Sequence, residues 1–297
     1  MQSSPPTSRV IAVLETLAGE PESLSASEIA RRLQLSTSTL SLILKTLHET
    51  GYVERLPDRS FRLGAGVLRL LQGVRQRYPL LGVANDVLGR LAEQCRCGCA
   101  LAQVTSGRQE VVLTVGNTGE LGISPGVQLP MDPPHGTLAM AWRTPKEVSV
   151  WLQQAEKSGA VVDTKVQLEL LEHVRGLGYA VYGMRSNGSA MMAQFRDLLS
   201  AVQHAGSMEV LRRQLDKMAL AVDAHLYTPQ ELDDSQSKSV SHIIAPVFGV
   251  DGQPHYLVSL HPMQDLVSAS SLRQYVEELQ HAAHALTSEI GGKIGTC

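Results

Sequence analysis

The sequence predicts an α+β protein in two parts: a small winged helix-turn-helix head, then a linker helix into a larger sheet-and-helix body. Three observations carry this. Apolar residues recur at helical spacing three times within the first 50 residues. A short, charged hairpin pattern follows at once. Beyond residue 80 the chain alternates between helical stripes and strand-like apolar runs, the pattern of a sheet with helices packed beside it.

At 297 residues the chain has room for two domains. Hydrophobic residues make up 43% and charged residues 19%, a balance typical of a globular protein. No apolar run approaches the roughly 20 residues of a membrane span. The start, "MQSSPPTSRV", lacks the basic opening and apolar core of a secretory leader and reads as a short disordered arm. Of four cysteines, three crowd into "CRCGC" at Cys95, Cys97 and Cys99, which is no disulfide framework. The expected location is therefore the reducing cytoplasm, with no membrane partner. The net charge of −3 is uneven. Residues 1–78 hold ten Lys/Arg against seven Asp/Glu, and the remainder holds sixteen against twenty-two. A basic head on an acidic body implies that only the head meets a polyanion.

The head is built element by element. Val10, Val13, Leu14 and Leu17 mark a first amphipathic helix that stops at Gly19. Ser25 and Glu28 form a capping-box pattern for a second helix, whose stripe is Ile29, Ala30 and Leu33. "QLS" is a tight turn, and Ser36 is placed to cap a third helix. That helix buries Leu40, Ile43, Leu44 and Leu47 and ends at Gly51. Tyr52–Leu56 and Ser60–Leu63 read as strands around a Pro57-Asp58 turn, giving the wing.

With those leucines inward, Thr37, Ser38, Ser41, Leu42 and Lys45 face out. Such a helix fits a major groove. The hydroxyls of Ser36, Thr37, Ser38, Thr39 and Ser41 suit phosphate oxygens near a helix N-terminus, and Lys45 adds charge. Leu42 suits a thymine methyl. Arg55, Arg59 and Arg62 charge the wing, with Arg59 at the tip, where a minor groove is in reach. An isolated helix with this face would simply be solvated. Its place between a helix-turn and a charged hairpin points to duplex DNA.

The blocks "SASEIARRLQLSTSTLSLILKTLHETGYVER" and "FRLGAGVLRLL" resemble the IclR family of bacterial transcription regulators. The likeness resumes in "GVQLPMDPPHGTLAMAW", "VRGLGYAVY" and "HIIAPVFGVDGQPHYLVSLHP". The resemblance implies a winged helix over residues 1–63, a linker helix over 64–79 and a GAF-like effector-binding domain over 80–297. It implies dimers or tetramers on palindromic double-stranded operators, acting as repressors more often than activators. The family's usual arginine in the third helix falls on Leu42 here.

Val67, Leu68, Leu71 and Val74 recur at helical spacing and suit pairing with a second copy of the chain. Two linked heads gain effective concentration on DNA that one weakly basic head lacks. Two amphipathic stretches, 189–206 and 207–226, suggest a helical hairpin inserted over 187–238, where the family usually has a short loop.

The resemblance also implies an effector pocket. Its positions fall on His135 and Gly136, on Tyr182, and on His242, Ser259 and His261, with Thr118 and Leu121 as an apolar wall. Imidazoles there suit a small organic or aromatic acid or a hydroxylated aromatic. The three histidines lack the local spacing of a zinc site, and "CRCGC" is no zinc knuckle, so neither metal nor cofactor is expected. A thiol redox sensor at those cysteines is the other reading of the motif. No G-x-S-x-G, Walker loop or G-x-G-x-x-G occurs, so no enzyme is expected. The rival readings are a winged-helix module that binds protein, and an enzyme with a His-lined site.

Overall fold

The computed structural model describes residues 4–293 except 79, 106, 117, 119–122, 134, 159–162, 185–223 and 234. The chain divides into two compact units, Met1–Pro79 and Leu80–Cys297.

In the first unit, α1 (Pro5–Ala18), α2 (Ala26–Leu33) and α3 (Thr37–Glu49) pack around Val13, Leu17, Ile29, Leu40, Leu44 and Leu47. The expected disordered arm is corrected here: the helix starts at Pro5, because two prolines in its first turn lose no helical hydrogen bond and pre-set φ. Ser25 caps α2 by accepting from Glu28 N at 3.2 Å. The capping box is only half made, since the Glu28 carboxylate turns to Arg31 (2.7 Å) and Arg32 (3.0 Å), which hold it below the usual carboxylate range. Ser36 caps α3 by accepting from Thr39 N at 3.2 Å. Replacing Ser36 with alanine is expected to lower the stability of this unit by about 1 kcal/mol in urea unfolding.

The wing pairs β1 (Val53–Arg55) with β2 (Phe61–Leu63), shorter than the sequence pattern suggests. Asp58 accepts from Ser60 N at 2.9 Å and closes the turn. Then α4 (Gly66–Arg77) begins against the turn after α3, with Gly66 N donating to Gly51 O at 2.7 Å. Arg69 ties it further, donating to Thr50 O at 3.2 Å and lying over the Tyr52 ring.

The second unit is a seven-stranded antiparallel sheet between two helical layers. Its strands are β3 (Gly98–Thr105), β4 (Arg108–Val115), β5 (Gln128–Pro130), β6 (Ala180–Met184), β7 (Ala224–Leu226), β9 (His242–Phe248) and β10 (Pro254–His261), in the order β5-β4-β3-β10-β9-β6-β7. A separate pair joins β8 (Lys238–Val240) to β11 (Gln264–Val267). Alternation along the strands splits the side chains between two cores. Ile243, Ala245, Val247, Val258 and Leu260 face α5 (Leu81–Cys95) and the closing helix (Ala269–Glu289). On the other face, Phe248, Leu257 and Ala180 pack with α6 (Thr137–Met140), α7 (Pro145–Ser158) and α8 (Thr164–Leu177).

The inserted helical hairpin is corrected at its carboxyl end. Residues 187–223 lie outside the described residues. From 224 the chain is already sheet, with Leu226 opposite Tyr182, and 229–233 is a short helix before β8. Val222 and Leu226 have helical spacing, but pairing with an open sheet edge overrides such local periodicity.

Candidate nucleic-acid interface and candidate effector site

On α3, Thr37, Ser38, Ser41, Leu42 and Lys45 are all exposed, and Leu42 keeps 69% of its surface. Ser36 and Thr39 stand apart from them. The Ser36 hydroxyl is engaged in the cap and lies 2.8 Å from Thr39 Oγ1, so both hydroxyls serve the helix first. Lys45 reaches only 3.9 Å to Glu49, with both ends in solvent. Such a pair contributes little and leaves the ammonium available. Leu42 also borders a shallow apolar hollow of about 210 Å³ with Val10, Ile43, Thr46 and Leu47.

The wing gathers its three arginines. Arg59 sits at the tip in the left-handed region, φ 69°, held by a hydrogen bond from its N to Leu56 O at 2.9 Å. Arg55 lies over the Phe61 ring, and Arg62 pairs with Glu54 at 2.9 Å. Arg31 of α2 is a cation that the sequence reading missed. It is well exposed, although Glu28 holds one end.

On the sheet face toward α6, α7 and α8, register brings three of the expected pocket residues into one row. Tyr182 lies opposite His242, and Ile244 lies opposite Ser259, so His261 follows beside His242. The Tyr182 and His242 rings stack at 4.5 Å and 9°. His242 and His261 follow at 5.7 Å and 25°. Ser259 Oγ lies 2.8 Å from His261 Nε2. Ser241, not expected from sequence, lies 2.8 Å from His242 Nδ1, and its hydroxyl donates to Tyr182 O at 3.0 Å.

Burial pushes the His242 pKa down to about 4, helped by His135, and pushes that of His261 down to about 3, helped by His242. Both rings are neutral at neutral pH. Burial also raises the Tyr182 phenol to about 12.

The remaining pocket positions are less uniform. His135 is exposed, in the turn before α6, yet near enough to oppose protonation of His242. Gly136 is buried at φ 78°, where a Cβ would meet Met131 O at 2.7 Å. The Trp151 indole N–H donates to that same carbonyl and so fixes the turn. Thr118 is buried. Leu121 lies outside the described residues.

The cysteine motif does not suit redox sensing. Cys95, Cys97 and Cys99 are buried, and burial raises all three thiols, Cys95 to about 12. Buried, protonated thiols are poor nucleophiles. Among the described residues no group of three or more His, Cys, Asp or Glu is placed to hold a metal ion, and no helix is long and apolar enough to cross a membrane.

A helix-turn-helix with a cationic wing, followed in the chain by a separate sheet-and-helix domain, defines the class of winged-helix transcription regulators. Comparison with known proteins agrees. Residues 6–57 match the IclR helix-turn-helix domain. A probable HTH-type transcriptional regulator ArcR of Halobacterium salinarum is 24% identical over 203 residues, covering 62% of this chain and 76% of that protein. The fold is shared with the Thermotoga maritima IclR structure (TM-score 0.54, 17% identity, 96% of this chain and 98% of that one). It is also shared with a putative IclR regulator from Silicibacter (TM-score 0.50, 17% identity, 98% of each chain). The amino-terminal unit is thus a DNA-binding helix-turn-helix of the IclR kind, and the chain as a whole shares the fold of IclR regulators.

Proposed function

We propose that this regulator is a repressor whose paired winged heads hold a palindromic operator, and that a small organic or aromatic acid in the sensing domain releases or retargets it. The observation that carries the DNA half is the outer face of α3. Its Thr37, Ser38, Ser41, Leu42 and Lys45 take no part in the core, and three arginines flank it on the wing. Thr37, Ser38 and Ser41 position the helix on phosphates, Lys45 and the wing arginines supply charge, and Leu42 takes a base methyl.

Pairing of two chains is supported by α4, where Leu68, Leu70, Leu71 and Val74 all remain exposed. Two heads one helical turn apart, or a multiple of it, then read the two half-sites. The ligand acts only through unequal affinity for two arrangements of the pair.

The test is gel-shift or anisotropy binding to the chain's own promoter DNA across a salt series. Affinity is expected to fall linearly on a log–log plot. Lys45→Ala is expected to weaken binding evenly across sequences and to reduce the salt slope by about 1. Leu42→Ala is expected to relax preference at one position of the half-site. No binding to duplex DNA even at low salt points instead to a protein partner for the winged head.

A further inference from the structure

The sensing-domain pocket proposed above invites one question of chemistry: what does His242 offer a ligand? Ser241 decides it. A backbone carbonyl can only accept, and the Ser241 hydroxyl lies 3.0 Å from Tyr182 O in donor geometry. Its single proton is therefore spent there. The same oxygen lies 2.8 Å from His242 Nδ1, so it must accept from that nitrogen. This fixes the proton of a neutral imidazole on Nδ1 and leaves Nε2 bare. Among the described residues, no hydrogen bond reaches Nε2.

The neighbours hold this state. Among the described residues, the titratable groups facing His242 are His261 on β10, His135 before α6 and the Tyr182 phenol on β6, and none of these is anionic at neutral pH. Burial opposes a positive charge on His242, and none of these neighbours offers a negative charge to stabilise one. The ring is also clamped in orientation, stacked on Tyr182 at 9° and followed by His261.

We propose that His242 Nε2 is a hydrogen-bond acceptor for a ligand hydroxyl, so that this end of the pocket selects a phenol or alcohol group and disfavours a bare carboxylate. A carboxylate placed there meets a lone pair. A hydroxyl donates to it. An acid ligand that also bears a hydroxyl enters with the hydroxyl toward His242 and its carboxylate elsewhere. This rests on reading the pocket as the effector site.

The experiment uses the full chain labelled with ¹⁵N-histidine and two probes that differ in one group, phenol and benzoate. In the unliganded protein at pH 7.5, His242 is expected as a neutral Nδ1–H tautomer with a bare Nε2, assigned by the signal lost in His242→Asn. Phenol is expected to shift that Nε2 signal and to bind at least about tenfold more tightly than benzoate, since a site built to bond a hydroxyl rejects a ligand lacking it. The asparagine variant keeps an N–H toward Ser241 but has no acceptor at the Nε2 position, and is expected to lose the preference. An imidazolium, the opposite tautomer, or tighter binding of benzoate overturns the inference and leaves the effector reading standing. A bare Nε2 that neither probe touches overturns both, because the acceptor is then present but the pocket takes no such ligand.

Discussion

Replacing Gly66 with alanine is expected to unfold the amino-terminal unit while the sheet-bearing unit keeps its own melting transition. Gly66 starts α4 with its N–H on Gly51 O at 2.7 Å. A Cβ there would meet Gly51 C and O at 2.7 Å and Tyr52 N at 2.9 Å. All three are backbone atoms, so no side chain can rotate away. Gly64 is placed the same way, its added Cβ falling 2.4 Å from Gly51 O. Relief requires α4 to lift off the turn, which breaks the 2.7 Å bond and strips Arg69 from Thr50 and Tyr52. Overpacking of this kind costs about 1–3 kcal/mol before the lost contacts are added. A unit this small has only a few kcal/mol in hand. The control is Gly73→Ala on the same helix, where a Cβ meets nothing within 4 Å. That change is expected to stabilise by about 0.5–1 kcal/mol through helix propensity. Urea unfolding followed by circular dichroism, with DNA binding measured in parallel, checks both. Equal melting of Gly66→Ala and wild type would show that the contact is not as close as described.

The contrast between Gly66 and Gly73 also shows what sequence can and cannot reveal. Both are glycines of one amphipathic helix, and only the fold separates them. The head was legible because its determinants are local: leucines at helical spacing, and serines one residue before each helix. Where a local group had a choice, the reading slipped. Glu28 is half-buried and could turn back to its cap or forward to two arginines, and two guanidinium groups outweigh one backbone N–H. In the body the strands were legible from alternation, but their order was not. The β3 strand lies beside β10, from the far end of the chain, and such pairing depends on contacts no window contains.

The pocket row shows the same limit. Tyr182, His242, Ser259 and His261 were reached only through family resemblance, because register alone brings them together. Ser241 had no signal at all. A serine just before a strand is commonplace, and its role depends on the Tyr182 carbonyl from a strand some sixty positions earlier. Resemblance supplied the histidines; the hydrogen bonds around them point to the tautomer, which makes one of them an acceptor.

Acid is expected to destabilise the sheet-bearing unit through the same two rings, and the sign follows from where their protons go. His242 and His261 titrate near 4 and 3 in the folded unit, against about 6.5 in an unfolded chain. Above pH 6.5 both states are neutral, and the rings contribute nothing to the pH dependence. Between 6.5 and 4 the unfolded chain takes protons that the folded one refuses, so stability falls as pH falls, by about 1.4 kcal/mol per unit per ring. At pH 4.5 this is about 2.7 kcal/mol for each. His242 keeps some contact with solvent, so a combined loss of roughly 3–5 kcal/mol is expected. Carboxylates titrate over the same range, so the comparison is with the double variant His242→Gln, His261→Gln, which shares them. Urea unfolding of both proteins at pH 7 and 4.5 should show the wild type losing more, by that difference. Parallel pH dependence would mean that the rings accept protons freely in the folded state, and are solvated side chains of the sheet rim, not a neutral row held under the helices. Such an outcome would also remove the ground for an acceptor at His242, since a ring that protonates easily presents an N–H to its ligand.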